Sequence, residues 1–494
     1  MGSASSHRRW AIIALVLAVL FRLPALINAG DVNSDAAVVG LQARHFAQGE
    51  WVWNLWGAQY QFAIEALMLA PFASVVGKWP VLVLMPPMVG MLLMIALVWR
   101  VLSRWMPPLA VFTCVLPLIF ATHAIASPMV YVMRQMMVTC SVAGVALLHV
   151  AAKRQSAWLF FFGAVVFGTG AQIDAFGLIV YPAGAVLGAG LAWSAARGAW
   201  KRTLLWSFAS LAGLALVFSQ RRSLGNDPYS WEFYKWLWGE RKGLLANTCL
   251  PFALGLKAYL PGTSAEWLHP APMKPLVWFA VGLFVLLLLA PLGLFFVKRL
   301  DRHVRVLGLF GTVAALTAVW AFVLRAEDMW GVRYLAPVLW FAPFALAPTL
   351  ALLGPRIALP MVGLWALVAG MAGWATWGSY VDGPKIVLTP HARLDEVHQL
   401  RDELLKRNVH AAFADYWQAY RLSLLFEEQI VVAPTNADRY PQYRAAASMQ
   451  SPRAFLFEAG DPRAQPDGMR AQARATGTLV DDFTVGRYTV LLVR

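Results

Sequence analysis

The sequence predicts a polytopic α-helical membrane protein with a small α/β domain at its carboxyl end. Three observations lead there. Hydrophobic residues make up 59% of the 494-residue chain and charged residues 14%, and the mean hydropathy is +0.58, well outside the range of a soluble protein of this length. Apolar runs of about 20 residues, the length that crosses a bilayer, recur as far as residue 378. Beyond it the chain turns to charged sequence broken by short strand-like runs.

In order, the runs place spans at 10–28, 80–100, 107–125, 134–151, 157–172, 175–195, 203–219, 275–297, 306–324, 334–353 and 357–378, about eleven in all. Basic residues test that arrangement, because short cytoplasmic loops hold an excess of Lys and Arg. Arg8, Arg9, Arg100, Arg104, Lys153, Arg154, Arg197, Lys201, Arg202, Lys298, Arg299, Arg302, Arg305 and Arg356 all fall on one side. That side is expected to be the cytoplasm. The amino terminus is then inside and the carboxyl-terminal domain outside. The same asymmetry explains much of the net charge of +15. Anionic membrane lipids are a sufficient partner for it, and no nucleic acid is expected.

The first run is longer than a signal-peptide core and lacks a small-residue cleavage site, so it reads as a retained helix. Cys114 and Cys140 fall in spans and Cys249 in an outer loop, a pattern that supports neither a disulfide framework nor a metal cluster.

Three segments lie outside the spans: a first outer loop at 29–79, a central outer loop at 220–273, and the tail. They divide the chain into a membrane domain at 1–378 and an α/β domain at 379–494. In the first loop the run 62–77 is apolar but only about 16 residues long, too short to cross, and is expected to lie in the interface. The central loop mixes Arg221, Arg222, Lys235, Arg241 and Lys242 with Trp231, Phe233, Tyr234, Trp236 and Trp238, as an interfacial belt does. In the tail, strand patterns at 386–388, 411–414, 429–432, 454–457 and 488–493 alternate with helical ones at 395–407 and 416–426. This gives β-α-β units and a small, mostly parallel sheet.

The first loop also carries chemistry. Its segment NSDAAVVGLQARHFAQGEWVWNLWGAQYQFAIEALMLAP, from Asn33 to Pro71, sets Asp35 just past a span, where an ionisable group needs a partner, a substrate or water to offset its cost. Asp35 is therefore the leading functional residue. A helix is expected at 36–48, and capping its start is the other use of the same carboxylate. Near the outer ends of two late spans, Arg325 and Arg333 flank Glu327 and Asp328. Arginine suits a phosphate because its planar fork offers paired donors; pairing with the two acids is the alternative. Asp174 either lines a cavity or pairs with Arg134.

Asp35-Ala-Ala-Val-Val-Gly-Leu-Gln-Ala-Arg44-His45, then Gly49-Glu50, Gly57-Ala-Gln59-Tyr60 and Glu65-Ala66, resembles the first outer loop of bacterial GT-C membrane glycosyltransferases related to the protein mannosyltransferase and aminoarabinose-transferase group. Arg333-Tyr334-Leu335-Ala336-Pro337 is similar to that group's RYLLP, and Asp415-Tyr416-Trp417-Gln418-Ala419-Tyr420-Arg421-Leu422 to its DYWTAYRL. The resemblance implies inverting transfer of a sugar from a polyprenyl-phosphate (undecaprenyl-phosphate) donor to a lipid or glycan acceptor of the cell envelope. It implies Asp35 as the general base, taking the acceptor's proton while a cation stabilises the departing phosphate. Arg333, Arg325, Glu65, Tyr60, Gln59, His45, Tyr334 and Asp174 are the expected substrate-binding residues. Asp415, Tyr416, Trp417, Tyr420 and Arg421 read either as functional residues or, in preference, as fastening the tail to the membrane region.

One position departs from the group's pattern. Its loop aspartate is often followed by Glu, whereas Asp35 is followed by Ala36. A hard cation prefers several oxygen ligands, so neither a metal nor another cofactor is expected. Two other classes compete. A lipid-linked glycan flippase or transporter should show acids near the bilayer midplane and paired halves; an O-antigen-ligase-like enzyme fits the acidic first loop poorly.

Overall fold

The computed structural model describes residues 4–27, 29–120, 122, 134–196, 198–219, 231–258, 266–267, 271–326, 329–379, 393–459 and 465–494. Among them, 9 helices are long and apolar enough to cross a membrane: Ala4–Ile27, Pro80–Leu102, Arg134–Arg154, Ala175–Ala196, Trp200–Ser219, Lys274–Leu294, Arg302–Arg325, Gly331–Leu353 and Pro355–Ala372. Two shorter apolar helices, Pro108–Ile119 and Ala157–Ile173, fill the remaining predicted positions. The chain is a multi-pass membrane protein. The central loop contains a helix at Trp231–Leu244 that continues through a π turn at Leu245–Cys249; Arg221 and Arg222 lie outside the described residues.

By contacts, the described residues form two compact units. One takes those within 1–23, 88–128 and 134–386, the other those within 24–87 and 387–494. The first unit is a helix bundle with an aromatic centre. Phe310 is fully buried and meets Phe167, Phe341 and Phe344 edge-on, at ring separations of 6.1, 5.2 and 5.5 Å. A side chain at Gly311 would stand 2.5 Å from the backbone nitrogen of Ala345. Glycine there lets two helix backbones approach, as small residues do in membranes.

Arg22, only 1% exposed, is a cation inside the first span. It donates to the carbonyls of Leu118 and Ile119 at 3.0 and 3.1 Å. These are end-of-helix carbonyls that lack partners within their own helix, and a cation is favoured there.

In the second unit, helix Ser34–Ala47 is followed by an antiparallel hairpin of Asn54–Leu55 and Ala58–Phe62 and a short helix, Ile64–Leu69. The continuous interfacial helix expected at 62–77 does not form. Phe62 ends the hairpin, and Pro71 falls in a 3-10 turn at Ala70–Phe72, since proline has no backbone N–H with which to continue a helix.

The tail folds into a five-stranded sheet in the order Val431–Pro434, Ala411–Ala414, Arg453–Glu458, Tyr488–Val493, Leu479–Val485. The first three strands are parallel and the last two are joined antiparallel, so the expected mostly parallel sheet is corrected to a mixed one. The cause is the unanticipated strand Leu479–Val485, tied to its neighbour by a tight turn that permits only antiparallel pairing. Its alternation is masked by Asp481 and Asp482, which are held by Arg407 at 3.1 Å and Arg470 at 2.6 Å. The run at 386–388 lies outside the described residues. Leu400, Leu404, Phe426, Val432, Leu456 and Val490 form the core between sheet and helices.

Candidate functional site

Asp35 occupies the first turn of helix Ser34–Ala47, but it does not cap it. Asn33 does, its side-chain oxygen accepting from the Ala36 N–H at 2.9 Å. The Asp35 carboxylate is thereby left to side chains. Its Oδ1 accepts from the Tyr416 hydroxyl at 2.5 Å and from Arg439 Nη2 at 2.6 Å. Arg439 Nε also donates to the Tyr416 oxygen, and Nη1 to the Trp56 carbonyl at 3.3 Å.

Both contacts fall on Oδ1, and Oδ2 has no hydrogen-bond partner among the described residues. Burial, and then the charge of Asp35, push the Tyr416 phenol far above its ordinary range, so it remains a donor. Burial would lower the Arg439 pKa, but Asp35 and Tyr416 outweigh it and raise the value. The guanidinium stays charged.

The loop that delivers Arg439 is held from within the tail. Helix Tyr416–Leu425 is capped by Asp415, which accepts from the Trp417 N–H at 3.0 Å. The same helix places Tyr420, whose oxygen accepts from the backbone N–H groups of Arg439 and Tyr440 at 2.7 and 3.1 Å; burial pushes the Tyr420 pKa up to about 12. Arg444 donates to Asp438 Oδ2 at 3.0 Å and to the Pro434 carbonyl at 2.6 Å. Between them Ala437 sits at φ 47°, a left-handed conformation that costs an alanine about 1–2 kcal/mol. Arg421 fixes the helix to its own sheet through Glu458 and the Tyr488 hydroxyl at 2.9 and 3.0 Å.

From the first loop, Gly57 passes directly against Arg439. Its φ is 65°, and a side-chain carbon there would stand 2.9 Å from Arg439 Cα and 2.6 Å from Cγ. Gly57→Ala is therefore expected to destabilise the protein by about 1–3 kcal/mol and to lower activity with it. Thermal unfolding of the purified variant checks this, and an unchanged midpoint with unchanged activity would mean that Arg439 gives way freely.

A second polar network lies beside the first. His45 bridges Glu50 through Nδ1 at 2.5 Å and Glu428 through Nε2 at 2.8 Å, while Arg44 and Tyr443 reach the same Glu428 at 2.9 and 2.5 Å. Tyr440 bonds Glu50 at 3.0 Å and stacks on Trp56 with ring centroids 4.0 Å apart. Gln42 donates to the Val52 and Asn54 carbonyls, each at 2.8 Å, pinning the hairpin. Together these contacts join the first outer loop to the tail.

Burial alone would lower the His45 pKa, but bonds to Glu428 and Glu50 raise it above the ordinary 6.5. Burial would raise that of Glu428, but bonds from His45 and Tyr443 and the charge of Arg44 hold it below 4.5. The raised histidine stabilises fully below 6.5 and loses that contribution as pH climbs through its folded value; the depressed glutamate stabilises above 4.5 and loses it as pH falls. The difference in unfolding temperature between wild type and His45→Gln should thus be largest between 4.5 and 6.5 and shrink on either side. A difference flat across pH would show that the ring is not charged in the folded protein.

An open cavity of about 500 Å³ lies beside Asp35, lined by Tyr416, Trp417, Asn436, Asp438 and Arg439 among others. Among the described side chains, His45, Tyr60 and Glu65 are not in its lining. Tyr60 and Gln59 lie on the second hairpin strand, where Tyr60 is 52% exposed, and Glu65 is buried in its short helix.

Within the membrane unit, Asp174 pairs with Arg134 at 3.4 Å and accepts from the Phe176 N–H at 2.8 Å. Arg134 lies over the Phe176 ring, which stacks on Tyr334 at 4.9 Å, and Arg333 lies over Tyr334 at 5.5 Å. The structure thus brings Asp174, Tyr334 and Arg333 together. The Arg333 Nε is buried with no hydrogen-bond partner among the described residues. Arg325 ends its helix in an exposed position, and Glu327 and Asp328 lie outside the described residues. Among the described residues, no group of three or more His, Cys, Asp or Glu side chains is placed to hold a metal ion.

Sequence reasoning missed Arg439, which lies 404 positions from Asp35 in a loop with no motif of its own. It also missed Glu428 and Tyr440. Of the two side chains that hold Asp35, only Tyr416 had a signal, as part of the tail motif that also carries Trp417 and Tyr420.

Helix bundle, first loop and mixed-sheet tail make a fold like that of ArnT and of the archaeal oligosaccharyltransferase AglB. Solved structures carry that likeness. ArnT from Cupriavidus metallidurans bound to undecaprenyl phosphate matches with a TM-score of 0.54 at 13% identity, over 99% of this chain and 98% of that one. Its apo state matches at 0.52 and 13%, over the same shares. The archaeal oligosaccharyltransferase AglB from Archaeoglobus fulgidus, in complex with an inhibitory peptide and a dolichol-phosphate, matches at 0.50 and 10%, over 92% of this chain and 69% of that one. No protein-family model and no curated protein matches the sequence.

Proposed function

We propose that this chain transfers a sugar from a polyprenyl-phosphate donor to an acceptor hydroxyl on the periplasmic face of a bacterial inner membrane, with Asp35 as the general base. The observation that carries the reading is the Asp35 carboxylate, oriented by Tyr416 and Arg439 on one oxygen beside an open cavity. The ArnT structure with undecaprenyl phosphate supports the donor class. In the reaction, Asp35 Oδ2 takes the acceptor's proton as its oxygen bonds to the anomeric carbon. The bond from that carbon to the phosphate oxygen breaks on the opposite face, the phosphate keeps the electron pair, and the configuration inverts. Such a base contributes about 10²–10⁴-fold.

Arg333 is the cation we assign to the phosphate, because its Nε is uncommitted among the described residues and its fork matches phosphate oxygens.

The test is reconstitution of the chain in vesicles with undecaprenyl-phosphate sugars and cell-envelope extract. The expected result is acceptor-dependent release of free undecaprenyl phosphate, lost in Asp35→Asn. Movement of intact lipid-linked sugar across the vesicle without cleavage would overturn the reading in favour of a flippase. Arg333→Ala should raise the donor KM more than the acceptor KM; an equal rise in both would reassign it as a structural anchor.

A further inference from the structure

We infer that the cavity beside Asp35 is a subsite for an uncharged sugar ring of the acceptor, read by Trp417 and Asn436. This names the substrate class of the site just described and rests on the glycosyl-transfer reading, but its test does not depend on turnover. The cavity, about 500 Å³, is of the size that small-molecule sites take, about 300–1,000 Å³.

Trp417 lines it with its side chain 43% exposed. The indole is braced edge-on against Tyr416, ring centroids 5.2 Å apart, and so offers a fixed apolar face to the C–H side of a pyranose. Asn436, also in the lining, offers a donor and an acceptor, the pair that a sugar hydroxyl uses.

Charge decides the class of ligand. Both acids among the described residues of the lining are already matched by arginines: Asp35 by Arg439 at 2.6 Å and Asp438 by Arg444 at 3.0 Å. A neutral polyhydroxylated ring therefore suits the cavity better than a free anion or cation, which would have to compete with those pairs. The loop carrying Asn436 is strained at Ala437, φ 47°. Tyr420 and Arg444 hold it there through five hydrogen bonds to residues 434–440. Strain sustained by surrounding contacts in this way clusters at ligand-binding loops.

The experiment is saturation-transfer NMR on the full chain, purified in a detergent without a sugar headgroup. The probes are methyl glucoside, methyl galactoside and methyl mannoside, with a serine tripeptide and inorganic phosphate as contrasts. Ring protons of at least one glycoside should receive saturation. Trp417→Ala and Asn436→Ala should each weaken that binding about tenfold, as loss of a stacking or hydrogen-bond contact does, while Trp417→Phe retains it.

Absence of saturation in every glycoside, equal binding in Trp417→Ala, or saturation of the peptide or phosphate alone would overturn the subsite. Asp35→Asn should keep the binding. Glycoside binding in wild type without any sugar transfer would sink the transfer reading and leave the sugar site standing.

Discussion

Asp35→Asn is expected to lower sugar transfer by about 10²–10⁴-fold, the usual contribution of a general base, while the protein folds much as before. Asparagine keeps a carbonyl oxygen where Oδ1 accepts from Tyr416 and Arg439, so both contacts survive in neutral form. What goes is the ability to take a proton at the other position, which the amide nitrogen now fills. Arg439 loses its charge partner, and the change from a charged to a neutral hydrogen bond costs about 1–2 kcal/mol. The check is the transfer rate at matched protein, alongside the unfolding temperature. Asp35→Glu serves as a second variant because it retains a carboxylate at an altered reach. Wild-type turnover in Asp35→Asn would remove this residue from the chemistry.

Arg439→Ala should come next, with a loss of about 10²-fold in kcat, the size that follows when a catalytic group is misplaced by about 1 Å. One guanidinium here reaches Asp35, the Tyr416 oxygen and the Trp56 carbonyl. Removing it frees the carboxylate to turn and loosens the hairpin that Gly57 sets against it. Arg439→Lys is not expected to restore the rate, because a single ammonium on a flexible stem cannot reproduce a planar fork with three fixed directions. If Arg439→Ala turns over like wild type, the orientation of Asp35 does not depend on Arg439, and Tyr416 alone suffices. If lysine rescues fully, charge alone suffices.

These two variants mark how unevenly the site was legible. Asp35 stood out from sequence because an acid just past a span demands a reason, and the residues around it carry a loop pattern. Yet capping, its alternative use, fell to Asn33 two positions earlier. Sequence alone could not decide this, since both types are good N-caps. Asp174 and Arg134 paired as one of the two options read from the sequence. Arg439 had no local mark at all. It is one of many tail arginines, and only the bonds from Tyr420 to the loop backbone single it out. His45 and Glu50 were visible in the loop, but Glu428, which completes their network, belongs to the far end of the chain.

The membrane bundle was determined by the sequence itself, because crossing a hydrocarbon layer of fixed thickness imposes a run length that shows in one dimension. In the tail, periodicity placed the helices Arg393–Lys406 and Tyr416–Leu425 and four of the five strands, but not the helices Pro441–Met449 and Pro466–Ala475. The partner of Asp35 was decided only in three dimensions. Pairing between residues hundreds of positions apart depends on which loop backbone is held against which hairpin, and no periodicity records that.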